Sequence, residues 1–170
     1  MKITTRQLVL TGLFLAIGIL LPMFFHSFGI SGLIFLPMHI PVLLCGLVCG
    51  WRLGGLVGFI VPLLASLLTG RPPIYPVGLA MALELATYGI VAGLLYRQKS
   101  NNIFISLIGA MLVGRAVLGV SNMILLGLSG EAYSLTAFIN ASFVTALPGI
   151  IFQLVLIPII VLALKRSKLI

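Results

Sequence analysis

The sequence predicts an all-α membrane protein, a compact bundle of six transmembrane helices. Of its 170 residues, 61% are hydrophobic and only 7% are charged, whereas soluble domains contain about 25% charged residues. This composition excludes an ordinary soluble enzyme and a disordered chain. A membrane-spanning helix needs roughly 20 residues, so the length fits about six spans joined by short loops. We therefore expect a single domain over residues 1–170.

Six stretches that are almost free of charge give the predicted helices. The breaks between them are rich in Gly, Pro, Asn and Ser, which are typical of turns. The second predicted helix is the shortest, and the last is long enough to need a bend or a tilt. The six predicted helices cover residues 7–25, 36–50, 53–69, 75–96, 103–128 and 135–164.

The basic residues predict the orientation of the bundle. Cytoplasmic loops carry an excess of Lys and Arg. With both termini in the cytoplasm, only Arg71 lies in an outer loop. The inner segments then hold Lys2, Arg6, Arg52, Arg97, Lys99, Lys165, Arg166 and Lys168. The formal net charge of +8 is therefore interpreted as a topology signal, and no nucleic-acid partner is expected.

Two ionisable residues fall inside the predicted helices, Glu84 and Arg115. A charged side chain at the centre of a membrane helix costs at least about 2.5–3.5 kcal/mol, which makes both residues functional candidates. Asn122 lies seven residues after Arg115 and shares its helical face. Tyr88 lies four residues after Glu84 and shares the face of that residue. The alternative interpretation is a structural ion pair that fixes the register of two helices.

Polar residues near the outer side complete the predicted ligand site. Asn140 lies close to the outer end of the last predicted helix. Arg71 and Tyr75 belong to the loop GRPPIYP, which its consecutive prolines make stiff. The sequence therefore predicts a site for a small polar molecule in the outer half of the membrane. Its predicted residues are Glu84, Arg115, Asn122, Asn140, Arg71, Tyr75 and Tyr88.

Small residues four positions apart predict close contacts between helices. The pairs Gly46 with Gly50, Gly54 with Gly58 and Gly89 with Gly93 are interpreted as contacts within the bundle. For Gly12 and Ala16 on the first predicted helix, two interpretations stay open, bundle packing and docking of a partner membrane protein.

Motifs for catalysis are scarce. The sequence contains no Gly-rich phosphate loop with its Lys, no H-E-x-x-H and no G-x-S-x-G. Glu84 is the one carboxylate within the predicted spans, whereas general acid–base catalysis by carboxylates uses a pair. Cys45 and Cys49 lack the further ligands of a metal site. We therefore expect no enzyme activity, no cofactor and no metal. A small intramembrane enzyme is kept as an alternative to this expectation.

Two longer segments carry a resemblance to a known family. They are FLPMHIPVLLCGLVCGW at residues 35–51 and GRPPIYPVGLAMALELATYG at residues 70–89, together with the Gly12-x-x-x-Ala16 stripe. With them, the chain resembles the substrate-binding S components of energy-coupling factor (ECF) transporters. The resemblance implies a vitamin-binding subunit of the bacterial cell membrane, with its site near the outer face between the last three helices and the outer loops.

The resemblance also implies partners. S components do not hydrolyse ATP themselves but associate with a membrane scaffold subunit and two cytoplasmic ATPases. Small residues on the first helix form much of that contact, so the resemblance assigns Gly12 and Ala16 to it. The usual family motif is Ala-x-x-x-Ala, and here glycine takes the first position.

Several substrates stay open at this point. Arg115 or Arg71 would pair a carboxylate with two hydrogen bonds, which favours pantothenate. Glu84 would instead pair a cationic or amino-pyrimidine ring, as in hydroxymethylpyrimidine. Folate, cobalamin and riboflavin are further alternatives. The competing function is a membrane assembly protein in which Glu84 and Arg115 only hold helices together.

Overall fold

The computed structural model describes residues 3–29, 32–98, 102–128 and 134–167. Within those ranges the chain forms helices and turns and no strands. The helices are α1 Thr5–Ser27, α2 Gly32–Phe35, α3 His39–Cys49, α4 Trp51–Thr69, α5 Leu79–Gln98, α6 Ile103–Leu128, α7 Leu135–Ile139 and α8 Leu147–Arg166.

Five helical stretches are long and apolar enough to cross a membrane. They are α1, α4, α5 with the turn before it, α6 and α8. The start of α1 is well defined, because Thr4 and Gln7 form a capping box that satisfies two backbone N–H groups. The prediction of an all-α membrane protein is confirmed.

The count of six full spans is not supported, because α3 is short. Its 11 residues extend about 16 Å, roughly half the hydrocarbon thickness of a bilayer. Every residue of α3 except Val48 is buried, and the helix packs against α1, α4, α5 and α8. The apolar composition of α3 therefore reflects contact with protein on all sides, which the sequence pattern does not distinguish from contact with lipid.

Two predicted helices are interrupted near one end of the bundle. Residues Ile74–Gly78 form a wide turn in which Tyr75 is extended, with φ −120° and ψ 138°, so α5 begins only at Leu79. The predicted helix 135–164 is divided into α7, a π-helical segment at Asn140–Thr145 and α8. Proline explains both breaks. Pro76 disfavours the helical conformation at Tyr75, the residue before it, and Pro148 lacks the N–H that would continue the preceding helical segment.

Glycines bring α3, α4 and α5 into backbone contact. A Cβ atom on Gly54 would lie 2.6 Å from the Cα of Gly46, and a Cβ on Gly89 would lie 2.2 Å from the carbonyl group of Gly54. The bundle-packing interpretation is confirmed for these three residues. It is wrong for Gly50, which lies in the link between α3 and α4 with φ 96°, a conformation that glycine adopts readily.

Charge distinguishes the two ends of the bundle. Arg52 and Arg97 lie where α4 begins and α5 ends, and the ammonium of Lys165 lies 5.3 Å from the ring centre of Tyr96. We call this the basic end, to which Arg6 and Arg166 also belong. Arg71 lies at the other end, after α4. Lys2, Lys99 and Lys168 lie outside the described residues.

Candidate functional site

The end of the bundle opposite the basic end contains a cavity of about 1020 Å³. This volume is at the upper end of the range for small-molecule sites, roughly 300–1,000 Å³. Its wall is formed by α1, α3, α4, α5 and α6 and by the segments that follow α4 and α7. Most of the wall is apolar, including Ile19, Met23, Met38, Val77, Met81, Leu118 and Leu126.

A buried ion pair lies in the wall of the cavity. Nη1 of Arg115 on α6 is 2.9 Å from Oε1 of Glu84 on α5. Both side chains are almost completely buried. The contact is held by opposite charge at short distance rather than by a well-directed hydrogen bond, since Oε1 has no hydrogen-bond partner among the described residues. The close approach of α4 to α5 at Gly58 and Leu85 fixes the backbone next to Glu84.

His39 completes this polar cluster, and it is missing from the predicted site. Its Nε2 lies 3.6 Å from Oε1 of Glu84, and its ring meets Tyr88 edge-on with the ring centres 5.0 Å apart. His39 is the first residue of α3 but is only 2% exposed. In the sequence, His39 is marked only as a histidine between two prolines in an otherwise apolar segment. That pattern does not indicate that α3 packs against α5.

The cluster is incomplete within the described protein. Both ring nitrogens of His39, and Nε and Nη2 of Arg115, are buried without a hydrogen-bond partner in the described ranges. A buried polar group left without a partner costs roughly 1–3 kcal/mol. The arrangement is therefore suited to binding further polar atoms, from water or from a ligand, beside an otherwise apolar cavity.

The structure brings four of the seven predicted ligand residues to the cavity. Glu84, Arg115, Asn122 and Arg71 all line it. Tyr88 is 2% exposed and lies behind the ion pair, against His39. A role in ligand binding stays a prediction for all five of these residues.

The other two predicted residues point elsewhere. The hydroxyl of Tyr75 donates a hydrogen bond of 2.7 Å to the backbone carbonyl of Leu125 on α6, which ties the outer turn to that helix. Asn140 is exposed at the start of the π-helical segment. Its neighbours Ala141 and Ser142 line the cavity instead, because the break between α7 and α8 changes which residues face inward.

The small residues of α1 face away from the bundle. Gly12 and Ala16 are exposed, and a Cβ on Gly12 would have no neighbouring atom within 4 Å. The buried residues of α1 are Thr11, Phe14, Gly18 and Pro22. The bundle-packing interpretation of Gly12 and Ala16 is therefore wrong, and the docking interpretation stays a prediction.

Long apolar helices around a cavity with buried charged groups are typical of a membrane transport protein. The family described as ECF transporter, substrate-specific component, matches residues 6–161. The chain belongs to this family, and the protein is a multi-pass protein of the cell membrane and a substrate-specific subunit of a transporter. No curated protein and no solved structure matches the chain.

Proposed function

We propose that the protein is the substrate-capture subunit of an ECF-type importer and binds a water-soluble vitamin or vitamin precursor in the cavity. The observation that carries this proposal is the cluster of Glu84, Arg115 and His39, whose buried polar atoms lack partners beside a cavity of about 1020 Å³. The subunit delivers its ligand inward together with a scaffold subunit and two ATPases and has no catalytic role of its own.

Pantothenate is the substrate that we propose first. Its carboxylate suits Arg71 or Arg115, and its hydroxyl and amide groups suit the remaining polar atoms of the cluster. Hydroxymethylpyrimidine, folate, cobalamin and riboflavin are the alternatives, each with a different charge or size.

A panel of vitamins tests the proposal directly. A ligand that binds only the folded protein raises its stability by mass action, by about 2.7 kcal/mol at a concentration of one hundred times Kd. We expect one vitamin, with pantothenate first, to raise the melting temperature of the detergent-purified protein in a saturable way. If no vitamin of the panel does so, vitamin binding is contradicted.

We further propose that the chain crosses the membrane six times, with the cavity facing outward and both termini in the cytoplasm. Five helical stretches have the necessary length. The sixth crossing uses α3, which is enclosed by the other helices and so need not match the thickness of the lipid. The described basic residues outside the cavity wall lie at the basic end, which supports a cytoplasmic location for that end.

The exposed face of α1 is the proposed contact with the scaffold subunit. Replacing both Gly12 and Ala16 by Leu puts bulky side chains on a surface where helices would otherwise approach closely. We expect the double variant to bind ligand normally but to lose co-purification with the scaffold and ATPases. Ala163→Leu, an exposed small residue on α8, serves as the matched control and retains assembly. Unchanged assembly of the double variant would show that the contact lies elsewhere.

A membrane assembly protein is the second candidate function. The observation that favours it is the 2.9 Å contact between Glu84 and Arg115, which already neutralises both charges without a ligand. In that case the pair contributes to stability alone, and its removal leaves uptake of every solute unchanged.

A further inference from the structure

We infer that Arg71 recognises the negative charge of the ligand, and that the ligand is a monoanion with an otherwise uncharged body. This inference rests on the proposed function, since it concerns the same cavity. It also decides between Arg71 and Arg115, which the sequence leaves as alternatives for pairing a carboxylate.

The charged groups of the described cavity wall leave one net positive charge. Among the described residues that line it, the formally charged ones are Arg71, Glu84 and Arg115. Glu84 and Arg115 neutralise each other at 2.9 Å. With the two lining histidines counted as neutral, one positive charge remains, that of Arg71. Arg71 is exposed at the edge of the cavity, so its guanidinium is available to pair an anionic group of the ligand, whereas a neutral ligand or a cation gains no ion pair there.

The backbone at Arg71 is held in place on both sides. The αL conformation of Gly70, with φ 68°, ends α4, and the hydroxyl of Thr69 accepts the backbone N–H of Arg71 at 3.2 Å. Two prolines follow, which restrict the backbone further. In the part of the chain that the structure describes, the ion pairs of Glu84 are with Arg115 and His39, so Arg71 has no acidic partner there.

The rest of the cavity wall is mostly apolar. Ile19, Met38, Met81 and Leu118 offer no compensation for a second ligand charge, and burying an unpaired charge is costly. The cavity therefore suits a molecule with one anionic group near Arg71, an apolar middle, and hydroxyl or amide groups near Glu84, Arg115 and His39.

Pairs of acids and their neutral analogues test this inference. The probes are pantothenate with panthenol, nicotinate with nicotinamide, and biotin with its amide, measured by calorimetry on the purified full-length protein. We expect the acid of one pair to bind roughly 10- to 100-fold more tightly than its neutral analogue, the range of a charge-assisted hydrogen bond. In Arg71→Gln the two should bind within about threefold of each other.

Three variants make the test specific. Arg115→Met should weaken the acid and the neutral analogue alike, because Arg115 contacts the uncharged part of the ligand. Arg52→Gln removes an arginine at the basic end, and Glu131→Gln removes the one acidic residue of the sequence other than Glu84. Both should preserve the preference for the acid.

Equal binding of an acid and its neutral analogue to the wild-type protein would overturn the inference while the proposed function stands. So would a preference that survives in Arg71→Gln, or a co-purified ligand that is neutral or cationic at pH 7. If no vitamin binds and none co-purifies, the proposed function fails and this inference fails with it.

Discussion

Replacing Arg115 by Met is expected to lower the melting temperature of the purified protein by roughly 10 °C and to weaken ligand binding strongly. Arg115 is 5% exposed, and its removal leaves the carboxylate of Glu84 buried without its cation. Breaking a buried ion pair in this way typically costs about 3–5 kcal/mol. For a chain of this size, 1 kcal/mol corresponds to about 2–4 °C. Thermal unfolding and ligand calorimetry on the same sample measure the two effects.

The double variant Glu84→Gln/Arg115→Met separates stability from binding. Replacing both partners removes the unpaired charge, so most of the lost stability should return. Ligand binding should stay weak, because the polar cluster at the cavity is still missing. A stable double variant that binds ligand like the wild type would show that the pair is purely structural and that other groups of the cavity bind the ligand.

Replacing Gly89 by Leu is expected to prevent the bundle from folding. A Cβ at this position would already lie 2.2 Å from backbone atoms of Gly54 and 2.8 Å from the backbone nitrogen of Gly55. Backbone atoms cannot rotate away as a flexible side chain can, so α4 and α5 would have to separate. We expect no monodisperse protein for Gly89→Leu on size exclusion in detergent.

The milder Gly89→Ala gives a measurable intermediate. The alanine Cβ meets the same backbone atoms but adds no further volume, so we expect a loss of at least the roughly 1–3 kcal/mol typical of overpacking and a clear fall in melting temperature. Gly12→Ala is the matched control, because both substitutions raise helix propensity equally but a Cβ on Gly12 has no neighbour within 4 Å. Equal melting temperatures for the two alanine variants would contradict the close approach of α4 and α5.

The sequence predicts the helical membrane fold and four residues that line the cavity, because both depend on local features of the chain. Apolar stretches of sufficient length indicate membrane helices, and the cost of an intramembrane charge identifies Glu84 and Arg115. The burial of α3 could not be predicted, since a helix that is apolar all round gives the same pattern in lipid and inside a bundle. The position of His39 beside Glu84 depends on that long-range packing, so it could not be predicted either.

Helix breaks explain the other differences. Tyr75 is predicted at the site because it belongs to the stiff outer loop GRPPIYP, and Asn140 because it lies near the outer end of the last predicted helix. The chain leaves regular helix at both positions, next to Pro76 and before Pro148. The hydroxyl of Tyr75 therefore bonds the backbone carbonyl of Leu125, and Asn140 is exposed. Arg71 does line the cavity, because it lies in a short link directly after α4, whose end is fixed by Gly70.

We propose that the cavity holds a vitamin-class molecule. The most direct measurement is mass spectrometry of the small molecules released when protein purified from cells grown in complete medium is denatured. We expect one such molecule, close to stoichiometric with the protein and absent from Arg115→Met. A folded wild-type protein that releases no such molecule, and that no vitamin stabilises, would contradict it.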